Sequence, residues 1–474
     1  MHVSDSTSST SSAYDVIVLG AGPAGYVCAI RTSQLGLKTA IVDREWLGGV
    51  CLNIGCIPSK ALLRNAEVIQ TVLHRGPEFG FEIGKPKVDY AAAVKRSRQV
   101  SARLVKGVEF LLRKNKIDVH LGAGRLAARD TLELKGAGGK VTRLTARNLV
   151  LATGARASLL PGMEVDGKKI LTYREAILQE KLPSSVTIVG AGPIGLEFAT
   201  LWNSYGSKVT LVEMLPRIAP LEDEEISAEL AKAFKRSGIE VRTNTRVEGI
   251  ETGGEKVHLR VSAQGKAEEL EAEQVLVATG FRPNSEDLGL EALGVKVEKG
   301  RVEVDERMST NVPGIWAIGD LTGRLMLAHV GSAMGIVCAE NMAGAASITL
   351  NYEMMPRGIF SHPQVASFGL TEAQARERGY EVRIGRFPFQ ANGKALGLGD
   401  SAGFVKIVSE ARYGEILGAH LVGAEVTELL PELTLAQEME LTAEQIARNV
   451  HLHPTLSEAL MEAAHGLAGG YINL

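Results

Sequence analysis

Residues 16–29 read VIVLGAGPAGYVCA, and residues 186–199 read VTIVGAGPIGLEFA. Each is a short β-branched run, then Gly-x-Gly-x-x-Gly, then a helix-favouring stretch. The glycines fall at Gly20, Gly22 and Gly25 and again at Gly190, Gly192 and Gly195, a constant offset of 170. A second strand follows each loop: KTAIVD ends at Asp43 and KVTLVE at Glu213, each acid 23 residues after the first glycine of its copy. Strand, glycine loop, helix, strand and acid, in that order, are what a dinucleotide fingerprint requires. The first glycine permits the turn, and the second lets a pyrophosphate approach the backbone. The third lets helix pack on strand, so that the helix N-terminus faces the anion. The acid accepts hydrogen bonds from ribose hydroxyls. One glycine-rich turn also serves plain packing, but two with matching acids predict two dinucleotide sites.

Outward from the loops, LVLATGAR (149–156) is echoed by VLVATGFR (275–282). The spacing is too long for a solenoid repeat and reads as a duplicated domain. Between the loops, apolar strands alternate with helical patterns, which predicts parallel sheet built from βαβ units. Residues 92–116 form one charged amphipathic stretch, expected as a long helix over a sheet. They lack the aromatic interleaving of a nucleic-acid patch. From about 351 the character changes: HPQVASFGL, GFVKIVSE and EILGAHLVG alternate like antiparallel strands, and helical stretches follow near 425–439 and 442–448. This predicts a separate α+β domain.

The 474 residues suit about three domains. Fifty-two basic against 55 acidic residues leave a net charge of −3, which gives no electrostatic footprint for nucleic acid or an anionic membrane. No apolar run reaches a membrane span. The Ser/Thr-rich start lacks the apolar core of a secretion signal and the arginines of a transit peptide. It is expected to be a disordered tail over 1–13, and the protein is expected to be cytoplasmic. Glu213 also bears on cofactor choice, since a carboxylate there repels a 2′-phosphate. With Arg217 the first base after it, NAD is favoured over NADP.

Four cysteines are too few for a secreted disulfide scaffold of this size. Cys51 and Cys56 lie five apart in GGVCLNIGCIPSK (48–60). They read as two buried thiols, a metal half-site or a redox pair. A half-site needs a second ligand pair, whereas Cys28 and Cys338 are isolated in apolar runs. Pro58 suits a helix start, whose N-terminus favours a nearby thiolate. Spacing therefore favours the redox reading.

GGVCLNIGCIPSKALL resembles the redox segment of the flavoprotein disulfide reductases, and among them the dihydrolipoamide dehydrogenases. The resemblance covers about residues 14 to 470. GAGPAG resembles the family's FAD loop, GAGPIGLEFA its NAD loop, and WAIGDLTGRLMLAHVGSAMG (316–335) its second flavin segment. HPQVASFGLTE (362–372) and HLHPTLSEALMEAA (451–464) resemble its interface signatures. The resemblance implies an α/β fold of two Rossmann-like domains, for FAD and NAD, with a C-terminal α+β dimerisation domain. The expected divisions are 14–158 for FAD, 159–284 for NAD, 285–350 for a central domain completing the FAD site, and 351–474 for the interface.

Carried over by residue, FAD is expected at Gly20, Gly22, Gly25, Asp43, Lys60, Gly124, Thr153, Gly154, Asp320 and Ala328. NAD is expected at Gly190, Gly192, Gly195, Glu213, Val247 and Gly280. Lys60 is expected near the flavin N5, paired with Glu197. Asp43 departs from the family's usual glutamate, and Val50 from its threonine.

His451 and His453 form H-x-H, which on a strand would put both rings on one face. No cysteine or carboxylate cluster supports a metal there, and none is expected. Thr455-Leu456-Ser457-Glu458 also reads as a capping box, with Thr455 as N-cap. The resemblance adds His453 as the acid/base, oriented by Glu458 and supplied across a homodimer with a shared active site. It further implies dihydrolipoamide oxidation through Cys51, a flavin-side Cys56, and transfer to NAD⁺. The lipoyl group is expected on a partner protein of a 2-oxo acid dehydrogenase or glycine-cleavage complex. The rival enzyme reading is another FAD disulfide reductase, of the glutathione or mercuric type. The chain ends GLAGGYINL without the cysteine pair typical of the latter. A non-catalytic scaffold would need none of Cys51, Cys56, His453 and Glu458.

Overall fold

DVIVL is apolar at nearly every position, as a strand covered on both faces must be, and it forms the centre of the first sheet. The computed structural model describes residues 13–84, 86–160 and 163–474. The expected tail over 1–13 lies, apart from Ala13, outside the described residues. The chain forms two compact units. One comprises the residues up to Ile57, Arg98–Arg156 and Phe281–Leu350; the other comprises Pro58–Ser97, Ala157–Gly280 and Asn351–Leu474. Residues 58–97, expected with the FAD-binding segment, thus group with the second unit.

In the first unit, parallel strands run Asp118–Leu121, Thr39–Asp43, Tyr14–Leu19, Val141–Leu151 and Ile315–Ala317, in that spatial order. The start of Val141–Leu151 also closes an antiparallel meander with Ala123–Ala128 and Thr131–Lys135. Ile17, Val42, Leu149, Leu151 and Ile315 fill the core, each such side chain contributing about 1.5–3 kcal/mol by leaving water. The helix Pro23–Gln34 packs on Ala328–Ala343, and Gly335 is required there: a Cβ would lie 2.6 Å from the Ala24 carbonyl oxygen.

The second unit repeats the plan. Glu240–Arg242, Lys208–Val212, Ser185–Val189, Gln274–Val277 and Ile170–Leu171 form a parallel sheet. An antiparallel meander, Thr245–Gly253, Lys256–Ala263 and Lys266–Ala272, packs Val257, Leu259 and Val261 against Val189, Val275 and Val277. The C-terminal sheet is antiparallel, in the order Arg357–Ile359, Gln364–Gly369, Ile416–Gly423, Phe404–Glu410, Val382–Pro388. Helices Val426–Glu438, Ala443–Arg448 and Glu458–Ala468 cover one face, burying Phe368, Phe387, Ile407, Leu421, Leu433 and Leu460. The stretch at 92–116 is helical over Tyr90–Lys114. Among the described residues no helix is long and apolar enough to cross a membrane.

Candidate active site and dinucleotide sites

Both glycine loops adopt one geometry. The Gly20 amide donates to the Val42 carbonyl at 2.7 Å, and the Gly190 amide to that of Val212 at 2.8 Å. Gly20 has φ +112° and Gly190 +105°, in the region that favours glycine. A Cβ on Gly20 would strike the Ala152 carbonyl oxygen, and one on Gly190 that of Ala278. A Cβ on Gly25 or Gly195 would strike the first glycine's own carbonyl. By contrast, a Cβ on Gly22 or Gly192 would meet no protein atom within 4 Å. These middle glycines are the N-caps of Pro23–Gln34 and Pro193–Ser204, and neither has a side-chain cap. Open space at an uncapped helix N-terminus, twice, fits a dinucleotide pyrophosphate.

The acids close the loops. Asp43 accepts hydrogen bonds from the amides of Ala21 at 2.7 Å, Glu45 at 2.8 Å and Trp46 at 3.0 Å. Glu213 accepts from Ala191 at 2.8 Å and Leu215 at 2.9 Å. The aspartate's shorter arm therefore still spans its loop. Gly154 and Gly280 both have positive φ, +71° and +109°, in the echoed ATG turns. Thr153 donates its hydroxyl to the Asn284 carbonyl at 2.8 Å. Gly124 lies in Ala123–Ala128, where a Cβ would sit 2.5 Å from Leu19 Cδ1. Val247 is half-buried on the meander beside a bulge. Asp320, on the turn Gly319–Thr322, is pushed up to about 6 by burial. Ala328 is the first residue of Ala328–Ala343.

The segment after Asp43 returns to the first loop: the Gly48 amide donates to the Ala21 carbonyl at 2.9 Å. Gly49 (φ +57°) passes so close to Gly22 that a Cβ would lie 2.6 Å from its Cα. This brings Cys51, on the short helix Gly49–Ile54, to the glycine loop. Asn53 locks that helix by donating to the carbonyls of Leu47 and Gly49, both at 2.9 Å, and Arg98 donates to the Asn53 carbonyl. Cys56 heads the helix Cys56–His74, where the N-terminal dipole favours thiolate. That helix begins two residues earlier than Pro58 suggests. Both cysteines are half-buried. Burial, with the Cys51 and Cys56 sulfurs nearby, raises the Tyr26 phenol. The motif readings gave Tyr26, Asn53 and Arg98 no role, although Tyr26 directly follows Gly25 and Asn53 lies between the two cysteines.

Lys60 Nζ lies 2.8 Å from both carboxylate oxygens of buried Glu197 and 4.5 Å from the centre of the Phe360 ring. The Phe360 amide donates to the same carboxylate at 3.1 Å. The C-terminal histidine meets its acid too: His453 Nδ1 is 2.9 Å from Glu458 Oε1, while the Thr455 amide donates to Glu458 Oε2 at 2.8 Å. Burial alone would raise the Glu458 carboxyl, but Thr455 and His453 outweigh it and hold it low. His453 itself is exposed.

Residues 451–453 do not form a strand, and the His451 side chain pairs with Glu432 at 3.0 Å, away from the partner of His453. Two expectations need correction. Thr455 does not cap with its side chain. Its hydroxyl donates to the Leu452 carbonyl, the helix begins at Glu458, and only the reach-back half of the box forms. Cys28 and Cys338 are not isolated but meet, fully buried, and burial together with the Cys28 thiol raises the Cys338 thiol. On the exposed meander, His258 stands 2.6 Å from Glu269 and 3.6 Å from Glu271, an ion-pair ladder that also takes Lys256.

Paired loops for two dinucleotides, with a cysteine pair led to the first, define a disulfide oxidoreductase that uses a flavin and a pyridine nucleotide. The chain belongs to the pyridine nucleotide-disulphide oxidoreductase family, which matches residues 14–335, with that family's dimerisation domain at 355–464. Among curated proteins it is 52% identical over 462 residues to a dihydrolipoyl dehydrogenase of Mycobacterium tuberculosis, covering 97% of this chain and 99% of that one. A dihydrolipoyl dehydrogenase of Mycobacterium leprae is 51% identical at the same coverage, and that of Bacillus subtilis is 42% identical. Among solved structures, LpdA from Mycobacterium tuberculosis superposes with a TM-score of 0.89 at 26% identity, over 95% of this chain and 99% of that chain. The HOCl-induced flavoprotein disulfide reductase RclA from Escherichia coli follows at 0.84 and 25%, over 94% and 98%.

Proposed function

We propose that this chain oxidises dihydrolipoamide carried on a lipoyl domain and passes the electrons to NAD⁺, in the cytoplasm, as a homodimer with active sites shared between subunits. The carrying observation is the redox segment: Gly48 and Gly49 tie the Cys51 helix to the first glycine loop, so the cysteines adjoin a dinucleotide site. Relatives 42–52% identical over nearly the whole chain bear the name dihydrolipoyl dehydrogenase, so a glutathione- or mercuric-type reductase is not favoured.

In this reading the first loop, with Asp43, Gly124, Thr153, Gly154, Asp320 and Ala328, holds FAD; the second, with Glu213, Val247 and Gly280, holds NAD. His453 takes a proton from one thiol of the substrate, with Glu458 fixing its tautomer and balancing the imidazolium. The resulting thiolate attacks Cys51 Sγ of the Cys51–Cys56 disulfide, forming a mixed disulfide and releasing Cys56 as thiolate. The second substrate thiol displaces Cys51 and closes the lipoamide ring, its proton passing to the departing Cys51 sulfur while His453 keeps the first. The substrate has then lost two electrons and two protons, and the cysteines have gained the electrons. Bound FAD supplies the two-electron relay from this dithiol to NAD⁺. Lys60, fixed by Glu197, places a positive charge near the flavin.

The test is a steady-state assay of the flavin-loaded protein. NADH formation that depends on free dihydrolipoamide is expected. Glutathione-disulfide reduction by NADPH at a higher kcat/KM would overturn the assignment.

A further inference from the structure

Strand register places five side chains in one row across the whole C-terminal sheet: Arg357, Ser367, His420, Lys406 and Arg386. Three of the five are cationic, and the three central ones are buried, Lys406 being only 2% exposed. A row of this kind is costly without anions to meet it. Most of the anions come from the end of the segment that follows Glu213 and the helix it enters, and one, Glu372, from the helix Glu372–Glu377. Lys406 Nζ lies 3.1 Å from Asp223, 2.7 Å from Glu225 and 2.9 Å from Glu372. The Ser367 hydroxyl donates to Glu222 at 2.5 Å, Arg357 stands 3.7 Å from Glu222, and Arg386 is 2.9 Å from Glu225. Burial alone would lower the Lys406 ammonium, but these carboxylates outweigh it and hold it above its ordinary value.

Segment 214–223 runs from the second loop's acid to this cluster. It touches the glycine loop once, through the Ala219 amide donating to the Ala191 carbonyl at 2.9 Å. Ala219 holds a positive φ of +44°, a conformation that a non-glycine residue keeps only when its surroundings impose it. Buried Ile218 and Ala219 pin the middle of the segment, whereas Met214 and Leu221 on either side of it are exposed, so side-chain burial of apolar residues does not hold its ends. What fixes its far end is a pair of adjacent buried carboxylates, Glu222 and Asp223, which repel each other unless cations answer them.

We propose that Lys406 and Ser367 are positioning residues for the nicotinamide dinucleotide: by clamping Glu222 and Asp223 they hold segment 214–223 taut, and with it Glu213 at the ribose. This rests on the reading of Glu213 as the ribose acid. Neither residue touches the cofactor; each acts through the segment.

The experiment compares wild type with Lys406→Met, Lys406→Arg, Ser367→Ala and Glu213→Arg, each as flavin-loaded protein. The readouts are KM for NAD⁺, kcat, the NAD⁺/NADP⁺ ratio of kcat/KM, the rate of flavin reduction by dihydrolipoamide and the melting temperature. Lys406→Met is expected to raise KM for NAD⁺ by about tenfold or more, as loss of a buried ion pair implies, and to erode the NAD⁺/NADP⁺ ratio. Flavin reduction by dihydrolipoamide stays unchanged, and Lys406→Arg recovers most of the affinity. If Lys406→Met does not fold, Ser367→Ala decides, since it removes one hydrogen bond and strands no charge. It is expected to raise the same KM by roughly two- to tenfold. A lower melting temperature with KM and ratio unmoved, alongside a responsive Glu213→Arg, overturns the clamp alone. A ratio unmoved in Glu213→Arg overturns the reading of Glu213 and the clamp with it.

Discussion

The two glycine loops, 170 residues apart, share hydrogen bonds, glycine conformations and clashes almost atom for atom, yet the segments leaving their acids differ entirely. After Asp43 the chain turns back at once through Gly48 and Gly49 and presents Cys51. After Glu213 it runs on to Asp223 and ends in buried ion pairs on a distant sheet. The backbone solution for gripping a pyrophosphate is therefore general, and the difference in chemistry resides in a few residues past each acid. In the proposed reading the first copy uses them for a redox centre and the second for rigidity at the ribose.

The largest effect expected from breaking this asymmetry falls on the redox side. Cys51→Ser and Cys56→Ser each abolish dihydrolipoamide turnover, and Cys56→Ser also removes the long-wavelength absorbance of the two-electron-reduced protein. Survival of that band in Cys56→Ser and its loss in Cys51→Ser would reverse their roles. His453→Ala lowers turnover by ~10²–10⁴-fold, the usual weight of a general base, while NADH still reduces the flavin. Co-expression with Cys51→Ser restores part of the activity if the site is shared between subunits; heterodimers no better than either parent refute that sharing.

On the nicotinamide side, Glu213→Arg shifts the NAD⁺/NADP⁺ ratio of kcat/KM toward NADP⁺ by roughly 10–100-fold, since a repelling carboxylate becomes a bidentate phosphate partner. An unchanged ratio would remove Glu213 from the ribose. The smallest effect concerns Asp320. Its folded value of about 6 lies above the ordinary carboxyl value, so its contribution to stability is present at low pH and lost as pH rises through 4 to 6. Flavin-free Asp320→Asn is thus more stable than flavin-free wild type above pH 6, by on the order of 1–3 kcal/mol, with the gap vanishing near pH 4. Chemical denaturation at several pH values checks this, and a pH-independent gap would contradict it.

Much of this was legible in the sequence because the constraints are local. A glycine that must avoid a carbonyl, or an acid that must reach a loop amide, leaves a fixed spacing, and the helix at 90–114 left its period. The long-range pairings left no such mark. Cys28 and Cys338 meet only because two distant helices pack, and His451 finds Glu432 on a helix of the same domain 19 residues away. The strand pattern gave Ser367, His420 and Lys406 no role, because their partners lie on an element whose position that pattern does not encode. Thr455 misled for a local reason: the helix starts only at Glu458 with Ser457 as its N-cap, so the Thr455 hydroxyl has no helix amide to accept from and donates to the Leu452 carbonyl instead.

Gly22→Ala and Gly192→Ala compare the two loops most directly. Neither new methyl group meets a protein atom within 4 Å, and φ is −69° and −80°, so both variants keep the fold and only a bound dinucleotide is crowded. Flavin content per chain, measured by absorbance beside NAD⁺ binding, is predicted to fall in Gly22→Ala. In Gly192→Ala it should stay at wild-type level while NAD⁺ affinity is lost. Full flavin in Gly22→Ala together with a colourless Gly192→Ala would contradict the assignment of the first loop to FAD and the second to NAD.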